Sequence, residues 1–151
     1  MKNNMNWNFD NSYSRLSDAF KDIEPIAVKN PEIVLMNEDL VKELNLDFSK
    51  IDKNGLAALF TGNILPEGSN AIAQAYAGHQ FGHFTMLGDG RAVLIGEHLT
   101  KNNERYDIQF KGSGKTAFSR NGDGRAALGP MLREYIISEA MHHLNIPSTR
   151  S

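Results

Sequence analysis

The 151-residue sequence predicts an α+β fold, in which antiparallel strands follow a helical segment and receive a packed C-terminal helix. Three observations lead there. Residues 106–110 alternate apolar and polar side chains at the period of a strand. Residues 91–97 form a nearly continuous apolar run with β-branched members, entered through the turn-forming Gly88-Asp89-Gly90. Finally, Leu132, Ile136, Ala140 and Leu144 recur at helical spacing between Pro130, a first-turn residue, and Asn145 with Pro147, which stop a helix.

In chain order, residues 1–25 are a polar, Asn-rich lead-in without the apolar run of a signal peptide or membrane span. Residues 31–36, from Pro31 to Met36, read as a strand. Asn37 then caps a helix whose first turn holds Glu38 and Asp39, where the helix dipole favours acids, and Asn45 ends it. A second helix spans 55–60, with Gly62 placed to terminate it in the left-handed conformation. Strands pair about Gly88-Asp89-Gly90. After the polar turn at 101–104, Tyr106, Ile108 and Phe110 take one strand face, and Asp107, Gln109 and Lys111 the other. At roughly 100° per residue, Arg133 projects from the middle of the final helix's apolar stripe and Glu134 from its edge. An arginine there either lays its stem along the core toward solvent or finds an acid.

Composition sets the limits. The length suits one region, 1–151, with a single core, and 40% hydrophobic and 23% charged residues describe an ordinary globular chain. A net charge of −2 gives no overall attraction to nucleic acid, so any anion site must be a local basic cluster. The chain has no cysteine, which excludes disulfides and thiolate metal sites and makes a reducing, cytoplasmic setting the default. No internal repeat is present.

Three glycine-rich clusters with basic neighbours carry the chemistry: Leu87-Gly88-Asp89-Gly90-Arg91, Lys111-Gly112-Ser113-Gly114 and Gly122-Asp123-Gly124-Arg125. Glycine lets a backbone approach a ligand closely, while Arg91, Lys111 and Arg125 offer charge to a polyphosphate. Alone, Gly88-Asp89-Gly90 is plain turn chemistry; three such clusters in order favour a phosphate site. Gly114-Lys115-Thr116 imitates the end of a Walker A loop, but Gln109 stands where that loop needs glycine. His79 and His83 have the spacing of zinc ligands on a helix. No glutamate follows His79, however, and Gly78 and Gly82 oppose a regular helix, so these histidines read as loop anchors. His142 and His143 suit the negative end of the last helix's dipole.

Taken in order, Tyr76-Ala77-Gly78-His79-Gln80-Phe81-Gly82, Leu87-Gly88-Asp89-Gly90-Arg91-Ala92, Lys111-Gly112-Ser113-Gly114, residues 119–125 and Arg133-Glu134-Tyr135 closely resemble the selenoprotein O (SelO) family. Each stretch is weak alone; the ordered set is specific. The resemblance implies the N-terminal part of a protein-kinase-like fold that transfers AMP, not phosphate, from ATP to Ser, Thr or Tyr hydroxyls of other proteins. ATP would bind inverted, with its γ-phosphate inward and its α-phosphate exposed. Gly88, Gly90 and Arg91 match the family's phosphate-contacting loop, Lys111 the strand lysine that holds phosphates, and Glu134 the helix glutamate that orients that lysine. Asp123 and Gly124 match further nucleotide contacts.

The resemblance also implies Mg2+ or Mn2+, with the metal ligands and the catalytic base beyond Ser151. A chain ending there is expected to hold ATP without transferring AMP, and to expose apolar surface that favours self-association. The alternatives are a nonenzymatic nucleotide-sensing or scaffold module and a P-loop-type phosphotransferase. Neither a nucleic acid nor a membrane is an expected partner.

Overall fold

The computed structural model describes residues 5–80 and 82–151. Strand β1 (Phe20–Asp22) is followed by helices α1 (Glu38–Glu43) and α2 (Lys53–Phe60), strands β2 (Ile72–Gln80), β3 (His83–Gly88), β4 (Ala92–Leu99) and β5 (Arg105–Lys111), and helix α3 (Leu128–His143). The sheet is antiparallel throughout, in the order β1-β2-β4-β5, with β3 also paired to β2. The α+β architecture with its C-terminal helix is therefore as expected.

Strand β4 lies between β2 and β5, and it is buried along nearly its whole length. Val93, Ile95 and Phe110 form the core, against which Phe9, Ile23, Phe60, Leu65 and Ile108 pack. Strand β5 alternates as predicted, with Tyr106, Ile108 and Phe110 inward and Asp107, Gln109 and Lys111 outward. The helix punctuation also holds. The Asn37 side chain accepts the Leu40 N–H at 3.1 Å, while Asn45 (φ +59°) and Gly62 (φ +79°) end the helices in the left-handed conformation.

Three expectations are corrected. Residues 31–36 form no strand, and Val34 and Leu35 are exposed, because an apolar run becomes a strand only when a neighbour pairs with it. Gly88-Asp89-Gly90 does not turn a hairpin between β3 and β4. Both strands run antiparallel to β2, β3 along residues 75–80 and β4 at Ile72, so the glycines interrupt two successive stretches along one partner. On α3, most of the apolar stripe is not the packed face, although Leu132 and the neighbouring Met141 are half-buried. Ile136, Ile137 and Leu144 are 64%, 63% and 67% exposed, whereas Ser138 is buried and Met131, Tyr135 and Glu139 are half-buried.

Charged tethers hold α3 at its polar positions. Arg150 reaches back to both carboxylate oxygens of Glu139, at 2.6 and 2.9 Å, and to Glu43 of α1 at 3.0 Å. Lys111 holds Glu134 from the sheet side. Arg133 is left exposed, with no acid partner among the described residues.

The polar lead-in is woven into the fold. Trp7 stacks on Phe9 with ring centroids 5.2 Å apart, and Phe9 bridges to His98. The His98 ring accepts the Asn8 N–H at Nδ1 (3.2 Å), so Nε2 carries the proton and donates to the Leu44 carbonyl at 2.8 Å. Buried Glu97 accepts the Ser12 hydroxyl and the Tyr13 N–H, each at 2.6 Å, and Arg105 at 3.2 Å. Burial alone would raise the Glu97 carboxyl, but those hydrogen bonds and the Arg105 charge outweigh it and hold it below its ordinary value of 4.5. Asp10 is lowered too, by its hydrogen bonds from Arg105 and Arg15.

A carboxylate lowered in the folded state adds stability that is complete above its unfolded pKa and is lost as pH falls through the folded one. The melting temperature should therefore drop steeply between about pH 5 and about pH 3. Glu97→Gln should melt lower at neutral pH and show a shallower acid decline in the same melting series. Parallel slopes for the two proteins would remove Glu97 from the account.

Candidate functional site

The site is built around the interruption between β3 and β4. There the Asp89 N–H donates to the Gln74 carbonyl at 2.9 Å, and the Gln74 N–H donates to the Asp89 carboxylate at 3.1 Å. The side chain thus fills the place of a missing ladder carbonyl, and the β2 edge stays satisfied while the backbone on either side opens. Burial pushes the Asp89 carboxyl up, opposed by the hydrogen bond from Gln74. Phe118 packs directly under Gly88, where a Cβ would lie 2.3 Å from its ring.

Beside this break lies an open cavity of about 590 Å3, within the size range of small-molecule sites. Gly88, Gly90, Arg91, Lys111, Asp123 and Gly124 all line it. Loop 122–125 is held in place from behind. Gly124 (φ +74°) accepts the Gly114 N–H at 3.2 Å, the Asp123 carboxylate accepts the Arg125 N–H at 2.9 Å, and the Arg125 guanidinium donates to the carbonyls of Ile26 (3.1 Å) and Ala27 (3.3 Å).

Lys111 Nζ sits 2.7 Å from each carboxylate oxygen of Glu134. Both side chains are substantially exposed, at 39% and 49%, and an exposed ion pair adds at most about 1 kcal/mol to stability. What the pair does is fix the position of an ammonium at the cavity wall. A carboxylate on a helix aims the mobile lysine head from the strand, and that head faces the same space as Arg91.

A family comparison places the chain. The family described as protein adenylyltransferase SelO matches residues 3–151. The chain belongs to the SelO family. A protein named protein nucleotidyltransferase YdiU from Pelagibacter ubique is 75% identical over 146 residues, covering 96% of this chain and 30% of the relative. Proteins of the same name from Anoxybacillus flavithermus and Nitrosococcus oceani are each 62% identical, covering 98% and 96% of this chain. The chain spans about 30% of the length of these curated relatives.

The residues that the resemblance singled out come from separate elements: Gly88 from the end of β3, Gly90 and Arg91 from the break, Lys111 from the end of β5, Asp123 and Gly124 from the following loop, and Glu134 from α3. Among the further lining residues, Tyr76, Gln109, Phe118, Ser119 and Arg120 have no role assigned by the sequence reading. Gln109 shares the outward face of β5 with Lys111, a signal that was available. Arg120 adjoins the third glycine cluster, but Tyr76 enters from β2 through a pairing with Leu87 that the sequence does not announce.

The Walker-like stretch does not behave as a P-loop. Lys115 is absent from the cavity wall, the Thr116 hydroxyl donates to the Asp89 carbonyl, and residues 115–127 lead into no helix until α3. His79 and His83 lie on opposite strands of the β2–β3 hairpin, with the His79 ring edge-on to Phe84 at 5.5 Å. Among the described residues no group of three or more His, Asp or Glu side chains could hold a metal ion. Among them, too, no helix is long and apolar enough to cross a membrane.

Proposed function

We propose that this chain is the ATP-binding part of a protein adenylyltransferase, the N-terminal part of a protein-kinase-like fold that serves AMP transfer to protein Ser, Thr or Tyr hydroxyls. The observation that carries the reading is the Lys111–Glu134 pair, bidentate at 2.7 Å and set at the wall of a glycine-lined cavity. It costs an exposed lysine its freedom for little gain in fold stability, which makes sense if the ammonium must meet a phosphate. Arg91, Lys111 and the backbones of Gly88, Gly90 and Gly124 would hold the phosphates, with Asp123 as a further nucleotide contact. Glu134 acts through Lys111 and is a positioning residue. ATP would bring Mg2+ or Mn2+, and the metal ligands and base are expected in the part of the relatives that this chain does not span. A cytoplasmic setting belongs to the same reading.

The test uses a full-length relative carrying these 151 residues, with ATP labelled at either its α- or its γ-phosphate. The α-label should enter protein and the γ-label should not, and Lys111→Ala should abolish incorporation. The 151-residue chain alone should incorporate neither. Incorporation of γ-label would make the protein a phosphotransferase, and ATP binding without incorporation by the full-length protein would favour a nucleotide-sensing module.

The exposed apolar face of α3 supports self-association of this chain. Size-exclusion chromatography with light scattering should show species larger than the 16.8 kDa monomer, and Ile136→Lys with Ile137→Lys should return the monomer. A monomeric wild-type chain at high concentration would count against it.

A further inference from the structure

The loop at 116–119 lies between the glycine clusters, and two of its side-chain hydrogen bonds reach the interruption between β3 and β4. The Thr116 hydroxyl donates to the Asp89 carbonyl, and the Ser119 hydroxyl donates to the Gly90 carbonyl. The loop is itself braced: Ser119 Oγ accepts the Thr116 N–H at 2.8 Å, and Thr116 Oγ1 accepts the Phe118 N–H at 3.1 Å. Phe118 closes the arrangement, since its ring underlies Gly88 and its carbonyl would lie 3.0 Å from a Cβ at Gly90.

Two consecutive carbonyls are thereby turned toward the 116–119 loop. In a trans peptide the C=O and the following N–H point in opposite directions. Fixing the carbonyls of Asp89 and Gly90 therefore turns the N–H groups of Gly90 and Arg91 away from that loop. Neither amide has a backbone acceptor among the described residues, and both residues line the cavity. A free carbonyl at this place would repel a phosphate, whereas a pair of fixed N–H donors attracts one.

Resting on the ATP-site reading, we propose that Thr116 and Ser119 are positioning residues, whose hydroxyls lock the Asp89 and Gly90 peptides so that the Gly90 and Arg91 amides receive the ATP polyphosphate. Neither hydroxyl needs to touch the nucleotide. Each acts through the carbonyl it holds, so the requirement is for a hydroxyl at each position and not for the residue type.

The experiment titrates ATP into the 151-residue chain and follows the backbone amide resonances of Gly90 and Arg91, with a melting curve for every protein. The wild-type chain is compared with the hydroxyl-free Thr116→Val/Ser119→Ala and the hydroxyl-retaining Thr116→Ser/Ser119→Thr; Ser119→Ala alone serves where the double variant does not fold. In wild type both amides should shift on saturation. Loss of the hydroxyls should weaken ATP roughly tenfold and shrink those two shifts at saturation, while the hydroxyl-retaining protein should stay within about threefold of wild type. Unchanged ATP affinity without the hydroxyls, or silent Gly90 and Arg91 amides in an ATP-saturated wild type, would overturn the proposal. So would a hydroxyl-retaining variant as weak as the hydroxyl-free one. A wild-type chain in which ATP moves no resonance would defeat the ATP-site reading itself, and this inference with it.

Discussion

Gly124→Ala should lower the melting temperature by about 10 °C and abolish ATP binding at temperatures where the wild-type chain is folded. Gly124 sits at φ +74°, where a side chain costs about 1–2 kcal/mol. Its Cβ would also lie 2.1 Å from both the carbonyl carbon and oxygen of Gly114, backbone atoms that cannot swing aside. Relieving such an overlap costs about 1–3 kcal/mol more and would separate the 122–125 loop from the Gly112–Gly114 turn. Gly122→Ala is the internal control. The nearest atom to its Cβ would be Gly124 N at 4.0 Å, so that substitution should melt within about 2 °C of wild type. Equal effects at the two glycines, read by thermal melts of both variants, would show that the loop is not locked as described.

Lys111→Ala should separate binding from stability in the opposite way. A charge-assisted hydrogen bond to phosphate is worth about 2 kcal/mol, which is roughly thirtyfold in affinity. The loss should exceed that, because the variant leaves the Glu134 carboxylate, 49% exposed and without its lysine, to repel the nucleotide. Stability should change by less than about 1 kcal/mol, since the pair is exposed. Glu134→Gln should weaken ATP less than Lys111→Ala does, because the ammonium remains and only its aim is lost. Isothermal titration beside thermal unfolding checks all three quantities, and a Lys111→Ala variant that loses fold and affinity in proportion would reduce the pair to a structural contact.

What could be read from sequence was local. The β5 alternation, the Asn37 cap and the left-handed stops at Asn45 and Gly62 each depend on a few neighbouring residues, and the structure has them. What failed depended on distant partners. Residues 31–36 have strand composition but no strand beside them, and the glycine break reads as a hairpin because nothing in the sequence says that β3 and β4 share the β2 edge. The α3 stripe is mostly exposed for a related reason: helical periodicity marks which residues share a face, not what packs against that face. The cavity-lining glycines and basic residues were legible because their chemistry is visible one cluster at a time, and their order carried the family resemblance. The ladder role of Asp89 and the carbonyl-holding hydroxyls of Thr116 and Ser119 were not, since Asp, Thr and Ser at those positions look like ordinary turn residues.

The central claim is that this cavity holds a polyphosphate through Lys111 and the glycine loops. Its most direct measurement is paired isothermal titration of ATP and adenosine into the wild-type chain and into Lys111→Ala. The account predicts that wild type binds ATP far more tightly than adenosine, and that Lys111→Ala erases most of that difference while leaving adenosine unchanged. A wild-type chain that binds the two equally, or a Lys111→Ala chain that keeps the full preference for ATP, would contradict it.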